Sequence, residues 1–407
     1  MSRLIVLAGL LSFALACQKP AQTLAPGHYL YVIDGDQGEV SGYRLDESTG
    51  ALSLMADSAF LKGHVTARSL TLSPDGKFGF LGTLTATVPI AVDAKGILTE
   101  RQGVQLNGWG YGSAIHPSGK FLYYANDHGF DLKELDRDGI PSAKSGANHG
   151  VHPDEISIDP SGRLLAAYTE QSAQTHLFEI DASTGQPTAV PGSPVHAEDF
   201  RTRQSRMHPD GHLLFVLTEG TNGARPGSRM HVFLRAPDGI TAVIGSPFPL
   251  RSDAQSFAFS PDGRYMYVVH KKARAIALYA IDDAGGIHPG SGSTFRTAAG
   301  PELVEVDPGG KYMYVTYPES KTTSVFSIDQ DSGSLKSVPG ATVKAGQHPW
   351  LSVFVLPPPM VDTATLPSPE SASLRPIDTT PPPDPGTEDV RKDVPLLLPG
   401  APAAALQ

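Results

Sequence analysis

Six short phrases recur along the chain: Ser73-Pro74-Asp75-Gly76-Lys77, His116-Pro117-Ser118-Gly119-Lys120, Asp159-Pro160-Ser161-Gly162-Arg163, His208-Pro209-Asp210-Gly211-His212, Ser260-Pro261-Asp262-Gly263-Arg264 and Asp307-Pro308-Gly309-Gly310-Lys311. Their prolines are 43, 43, 49, 52 and 47 residues apart. Proline presets the first central dihedral of a tight turn and glycine accepts a positive φ, so each phrase joins two strands into a hairpin. Turns at that period, flanked by aromatic and β-branched runs, mark repeated four-stranded units stacked around an axis.

The runs that follow the turns fit strands buried on both faces: Phe121-Leu122-Tyr123-Tyr124, Leu213-Leu214-Phe215-Val216, Tyr265-Met266-Tyr267-Val268-Val269 and Tyr312-Met313-Tyr314-Val315. Third strands follow at Ala275 to Ala280 and Ser324 to Ile328. A second marker closes each unit, an Asp shortly before a Gly: Asp46 and Gly50, Asp93 and Gly96, Asp136 and Gly139, Asp181 and Gly185, Asp238 and Gly239, Asp282 and Gly285, Asp329 and Gly333. Seven closing turns against six opening ones leave one opening strand to be supplied from elsewhere. Trp350 to Val355 is the candidate, pairing with Tyr29 to Ile33 and Glu39 to Leu45 so that no sheet edge stays open. The expected fold is all-β, a seven-bladed β-propeller over residues 27–356 whose last blade is shared by the N- and C-terminal strands.

The ends of the chain read differently. Arg3 precedes the apolar run Leu4 to Ala16, too short to span a bilayer comfortably, so residues 1–16 read as a signal peptide. Ala16 is followed by Cys17, the sole cysteine, in a phrase similar to the lipobox of bacterial lipoproteins, with Ala14 where leucine is usual. Lipidation at Cys17 is therefore expected, with 17–26 as a tether; an ordinary cleaved signal is the alternative. Each buried acyl methylene contributes about 0.8 kcal/mol, so acylation anchors a domain without a transmembrane helix. Gln18 offers no acidic retention signal, which points to the outer membrane. Residues 357–407, with thirteen prolines and no alternating apolar strand, read as a disordered tail. The formal charge is −10 with scattered Lys and Arg, which argues against nucleic acid or an anionic membrane surface as the main partner.

Equivalent positions of a radial repeat form rings around the mouth of the central channel, where concave sites tend to lie. Five residues before the residue preceding each anchor proline stand Arg68, Tyr111, Asp154, Arg203, Gln255 and Glu302, with Trp350 as the seventh. Ten residues after the prolines stand Asp127, Glu170, Glu219 and Lys271, with apolar Leu84 and Pro318 completing that ring. Charge concentrates in blades three to five: Asp154, Glu155, Glu170, Arg203, Glu219 and Lys271, with His149 and His152 just upstream. The plainer reading of these residues is that ion pairs at a wet mouth only fix loop geometry. His149, His152 and Asp154 lack a further ligand at fixed spacing, so no metal site and no cofactor is read. His116 and His208 precede anchor prolines and read as turn caps. The Gly-rich stretch Gly220 to Arg229 precedes no helix, and with Arg225 and Arg229 it reads as a lid.

These repeats resemble the seven-bladed propeller lactonase family, which includes carboxymuconate cyclase-like enzymes and phosphogluconolactonases, over roughly residues 27–356. Tyr314-Val315-Thr316-Tyr317 nearly reproduces a Tyr-Val-Thr-Asn phrase shared with surface-layer propellers. The family's fourth blade reads Pro-Arg-His and then Asn-Glu-Leu, and Thr202-Arg203-Gln204 and Thr218-Glu219-Gly220 fall in those places. Its third-blade His-Pro-His becomes His152-Pro153-Asp154, and its fifth-blade Ser-Asn-Arg becomes Val269-His270-Lys271. The resemblance implies lactone chemistry with Asp154, Arg203, Glu219, Lys271 and His152 as the catalytic set. By spacing alone, the other members of the first ring, Arg68, Tyr111, Gln255, Glu302 and Trp350, would be the ligand-binding set. Lactone opening needs a proton donor or acceptor and a cation on the developing oxyanion. Asp154 would then act as base for water, Arg203 and Lys271 would hold the carbonyl oxygen and Glu219 would orient Arg203, with His152 able to stand in for the lost imidazole. The expected partner is a small polar, anionic or sugar-derived ligand, a lactone or sugar acid, bound by a monomer that meets the membrane only through its lipid. The rival reading is a non-enzymatic surface propeller that binds a protein or polysaccharide.

Overall fold

A computed structural model describes residues 29–355 apart from 35–38, 62–66, 68, 94, 105, 109–111, 146–148, 171, 198–199, 221–226, 237 and 345–348. The expectations for the signal peptide, Cys17, the tether and the 357–407 tail lie outside the described residues, as do Arg68, Tyr111 and the side chain of Trp350. Every helix or strand assigned among the described residues is a strand. The strands form seven antiparallel sheets, the blades of a β-propeller.

Blade 1 spans 69–107, blade 2 113–145, blade 3 155–196, blade 4 200–249, blade 5 254–296 and blade 6 303–344. In blade 7, Pro349–Val355 lies antiparallel against Tyr29–Asp34, which pairs in turn with Glu39–Leu45 and that with Leu52–Phe60. The first strand of each blade touches the first strand of the next, and Pro349–Val355 touches both Leu303–Val306 of blade 6 and Ser69–Leu72 of blade 1. In blades 1, 3 and 4 the outermost strand is broken in two, so these sheets hold five strands rather than four. In blades 3 and 4 the break falls at a Gly-Ser-Pro step, at Pro194 and Pro247, where proline removes the donor a continuous outer strand would need.

The anchor phrases are turns as expected: in all six the glycine N–H donates to the carbonyl of the first residue, as from Gly119 to His116 at 2.7 Å. His116 and His208 cap them and also tie blades together. The Nε2 atoms of the two rings lie 2.9 Å from the Gly162 carbonyl and 2.8 Å from the Gly263 carbonyl, one blade onward. Burial opposes the imidazolium of His208, but the Asp210 carboxylate and the Gly263 carbonyl outweigh it and raise the pKa. A raised histidine pKa stabilises the fold below the unfolded value near 6.5 and loses that contribution as pH rises through the folded value. The difference in unfolding midpoint between wild type and His208→Ala is therefore expected to be larger at pH 6 than at pH 8.

Seven apolar clusters form the core, one between each adjacent pair of blades among the described residues. The second strands supply most of it; Tyr312–Tyr317 and Phe78–Gly82 are buried at every position. The closing turns complete the joints. Tyr31 donates to the Gly96 carbonyl and Tyr123 to the Gly185 carbonyl, each at 2.6 Å, and Tyr267 to the Gly333 carbonyl at 3.0 Å. Each reaches a neighbouring blade, so the Asp-Gly turn serves as an acceptor for the tyrosine beside it. Tyr267→Phe leaves that buried carbonyl without its donor and is expected to cost about 1–2 kcal/mol in urea denaturation. A loss below a few tenths would show that the latch contributes nothing.

Candidate active site

The first strands of blades 4 and 5 are irregular at the predicted ring. Their pairing slips between Thr202 and Gln204 and between Ala254 and Ser256, which leaves Arg203 and Gln255 unpaired in bulges. Both stand six residues before an anchor proline. A bulge re-aims its side chain away from the ladder, and such bulges are common beside binding sites.

The guanidinium of Arg203 meets Glu219 on the neighbouring strand. Nε donates to Oε2 at 2.9 Å and Nη2 makes a second bond to the same oxygen. Both side chains are about a quarter exposed, 27% and 26%, so the pair is reachable by a ligand without being freely solvated. The Tyr168 hydroxyl of blade 3 donates to the Arg203 carbonyl at 2.9 Å and holds the bulge from below. Burial first, and then the charges of Glu155, Asp154 and Glu170, push the pKa of this phenol well above its usual value, so it stays a donor.

Asp154 sits at the entry to the first strand of blade 3. One carboxylate oxygen accepts the Glu170 N–H at 2.7 Å, and its own N–H donates to the Tyr168 carbonyl at 2.9 Å. Lys271 Nζ reaches Glu302 Oε2 of blade 6 at 2.6 Å. Gln255 turns back on its own loop, with Nε2 3.0 Å from Asp253 Oδ1. His152 is exposed on the approach to Asp154. His149 stacks on Phe130, ring centroids 4.8 Å apart, and edges onto Phe178, so its surroundings are those of a packed ring. No group of three or more His, Cys, Asp or Glu placed to hold a metal occurs among the described residues. Arg229 lies in the strand Ser228–Ala236 rather than in a loop, and Arg225 is outside the described residues.

The two sequence rings are thus stitched together by ion pairs. Arg203 and Glu219 pair within blade 4, Lys271 and Glu302 across blades 5 and 6, and Arg201 and Glu170 across blades 4 and 3. A fourth pair, Arg206 with Glu305, links blades 4 and 6. Arg201, Arg206, Tyr168, Asp253 and Glu305 were not singled out from the sequence. Arg206 and Glu305 carry a legible signal, since both stand three residues before an anchor proline, where Thr71, Ala114, Ser157 and Ala258 stand in the other blades. Asp253 has none: it adopts φ 68° and accepts the Lys272 N–H, which shapes the turn that presents Lys271.

No curated protein matches the sequence. Among solved structures, a Bacteroides fragilis protein named as a 6-phosphogluconolactonase shares 20% identity at a TM-score of 0.64, over 83% of this chain and 99% of that one. A Bacteroides uniformis protein of the same name shares 17% at 0.63, over 81% and 100%. The periplasmic gluconolactonase PpgL of Pseudomonas aeruginosa shares 18% at 0.61, over 81% and 99%. At these identities the likeness is one of fold. The sequence itself matches the family described as lactonase, seven-bladed β-propeller, over residues 21–200 and 197–352, and the chain belongs to that family.

Proposed function

We propose that this chain is an exported, lipid-anchored hydrolase of small polar lactones, working at the channel mouth of blades 3 to 5. The observation that carries this reading is the Arg203–Glu219 pair, with Arg203 set in a bulge and bonded below by Tyr168. Fixing a guanidinium before substrate arrives is what stabilises an oxyanion at little reorganisation cost. Asp154 accepts the proton of the attacking water, Arg203 and Lys271 hold the carbonyl oxygen, and exposed His152 offers a second proton carrier at the entrance. Export rests on the Met1–Ala16 segment and Cys17.

The pairing of the cations bears on the ligand. Arg201, Arg203, Arg206 and Lys271 each already face a carboxylate. A free anion would have to displace one, whereas a neutral carbonyl needs only a hydrogen bond. The reading is therefore an uncharged, sugar-derived lactone. Incubating residues 18–356 with a panel of sugar and aliphatic lactones, with acid release followed by pH-stat, is expected to show turnover that Arg203→Ala removes. No turnover of any lactone would sink this reading and favour a propeller that binds a protein or polysaccharide.

A further inference from the structure

Beneath the mouth, one ion pair joins blades that are not neighbours. Arg206 belongs to the first strand of blade 4 and Glu305 to that of blade 6, with blade 5 between them. Nη1 donates to Oε2 at 3.1 Å and Nη2 to Oε1, so the forked bond engages both carboxylate oxygens. First strands line the channel of a propeller, and a contact between blades 4 and 6 spans it.

Glu155 lies just above this bridge. It stands five residues before Pro160 whereas Arg206 and Glu305 stand three before theirs, so it is two residues, about 7 Å, nearer the mouth. Arg206 from blade 4 and Glu305 from blade 6 act on its carboxyl, and Tyr168, its register partner on the second strand of blade 3, feels its charge. Blade 2 presents backbone there, since a Cβ on Gly112 would lie 3.0 Å from Glu155 Cα. No hydrogen bond to the Glu155 carboxyl forms among the described residues. Glu155 is thus a half-buried carboxyl in the field of a guanidinium already committed to Glu305, and two like charges so placed do not both ionise readily. Burial pushes the Glu155 carboxyl up to about 7; Arg206 pulls against this and Glu305 adds to it. Adjacent carboxyls in unlike surroundings are the arrangement that separates an acid from a base.

We infer that Glu155 is the general acid of the reaction: a carboxylic acid at the channel neck that protonates the ring oxygen of the lactone as that oxygen leaves. The inference rests on the lactonase reading above. The oxygen of water bonds to the carbonyl carbon while its proton goes to Asp154. The bond from that carbon to the ring oxygen then breaks, the electron pair stays on oxygen, and the proton of Glu155 joins it. The proton on Asp154 returns to Glu155, the hydroxy acid departs, and the protein is restored.

The test is the pH profile of kcat/KM between pH 5 and 9 on whichever lactone the wild type hydrolyses. Activity is expected to fall above about pH 7, as a glutamic acid tuned to that range loses its proton. Glu155→Gln should lower kcat about 100-fold and flatten the alkaline limb, while Glu155→Asp keeps the limb and recovers about a tenfold share of the loss. Carboxyl-13C NMR of glutamate-labelled, ligand-free protein should show a titration near neutrality that Glu155→Gln, or Glu155→Asp if the amide does not fold, removes. An active wild type whose Glu155→Gln variant stays within threefold, or keeps the same limb, overturns the acid role and leaves the lactonase reading standing. A Glu155 signal that titrates in the ordinary carboxylate range also overturns it. A wild type that opens no lactone removes both readings.

Discussion

Arg203→Ala is expected to lower kcat/KM for lactone hydrolysis by about 10³, while the melting temperature stays within a few degrees of wild type. Removing one prealigned oxyanion donor costs about 10²–10³ in kcat, and here the loss has a second part. Glu219 is about a quarter exposed and spends one oxygen on the Arg203 Nε and Nη2 atoms. Without the guanidinium its charge stands uncompensated beside a carbonyl that is turning negative. Arg203→Lys should not rescue, because a point charge lacks the planar fork that binds Glu219 through two donors at once. Glu219→Gln keeps an acceptor for the guanidinium and loses only the charge, so a milder fall of about tenfold is expected. Should Arg203→Ala retain more than a tenth of wild-type activity, the oxyanion role assigned to this pair is wrong.

The second large effect is on stability. Gly139→Val should destabilise the propeller by about 4 kcal/mol, from a left-handed backbone forbidden to a β-branched residue added to an overpacked joint. Gly139 closes blade 2 at φ 77°, and a Cβ there would lie 2.2 Å from Cδ2 of Phe78. Phe78 cannot retreat. It is 4% exposed and set edge-on to Phe80, ring centroids 6.4 Å apart, in the cluster that joins blades 1 and 2. Gly119 separates the two causes, because it has φ 73° and a methyl on its Cα would meet nothing within 4 Å. Gly119→Ala should therefore show the backbone term alone, about 1–2 kcal/mol. Equal urea midpoints for the alanine variants at 119 and 139 would mean that the contact with Phe78 contributes nothing.

Much of this molecule is legible without coordinates, and the reason is locality. A turn of proline, then Asp, Ser or Gly, then glycine is specified by the four residues it contains, so six copies predict six hairpins wherever the rest of the chain goes. The Asp-Gly closing turns are equally local, with Asp side chains accepting backbone N–H groups two to four residues on, as Asp93 does from Lys95 and Ile97. Counting them gives seven blades and directs Pro349–Val355 to Tyr29–Asp34. Repeat arithmetic also reaches part of the candidate site: in blades 4 and 5 the position six before the anchor proline is a bulge, so spacing alone marks Arg203 and Gln255. The same arithmetic taken three residues further finds Arg206 and Glu305.

Which residues hold which is not legible, because ring curvature chooses partners and no spacing encodes it. Lys271 meets Glu302, 31 residues on, since consecutive blades present the end of one second strand to the start of the next first strand. Arg206 meets Glu305, 99 residues on, since the channel is narrow enough for two side chains to span it. Spacing places Arg203, Lys271 and Glu219 around one mouth and the family resemblance sets Glu219 to orient Arg203; the partners of Lys271, Arg201 and Arg206 come only from the fold, which pairs these cations with carboxylates before any ligand arrives. It also sets half-buried Glu155, which spacing marks only as one more charge beside Asp154, in surroundings that raise its affinity for a proton. Local turn chemistry wrote the blade count into the sequence, while solvation and charge at the site depend on atoms that only the closed circle of strands brings together.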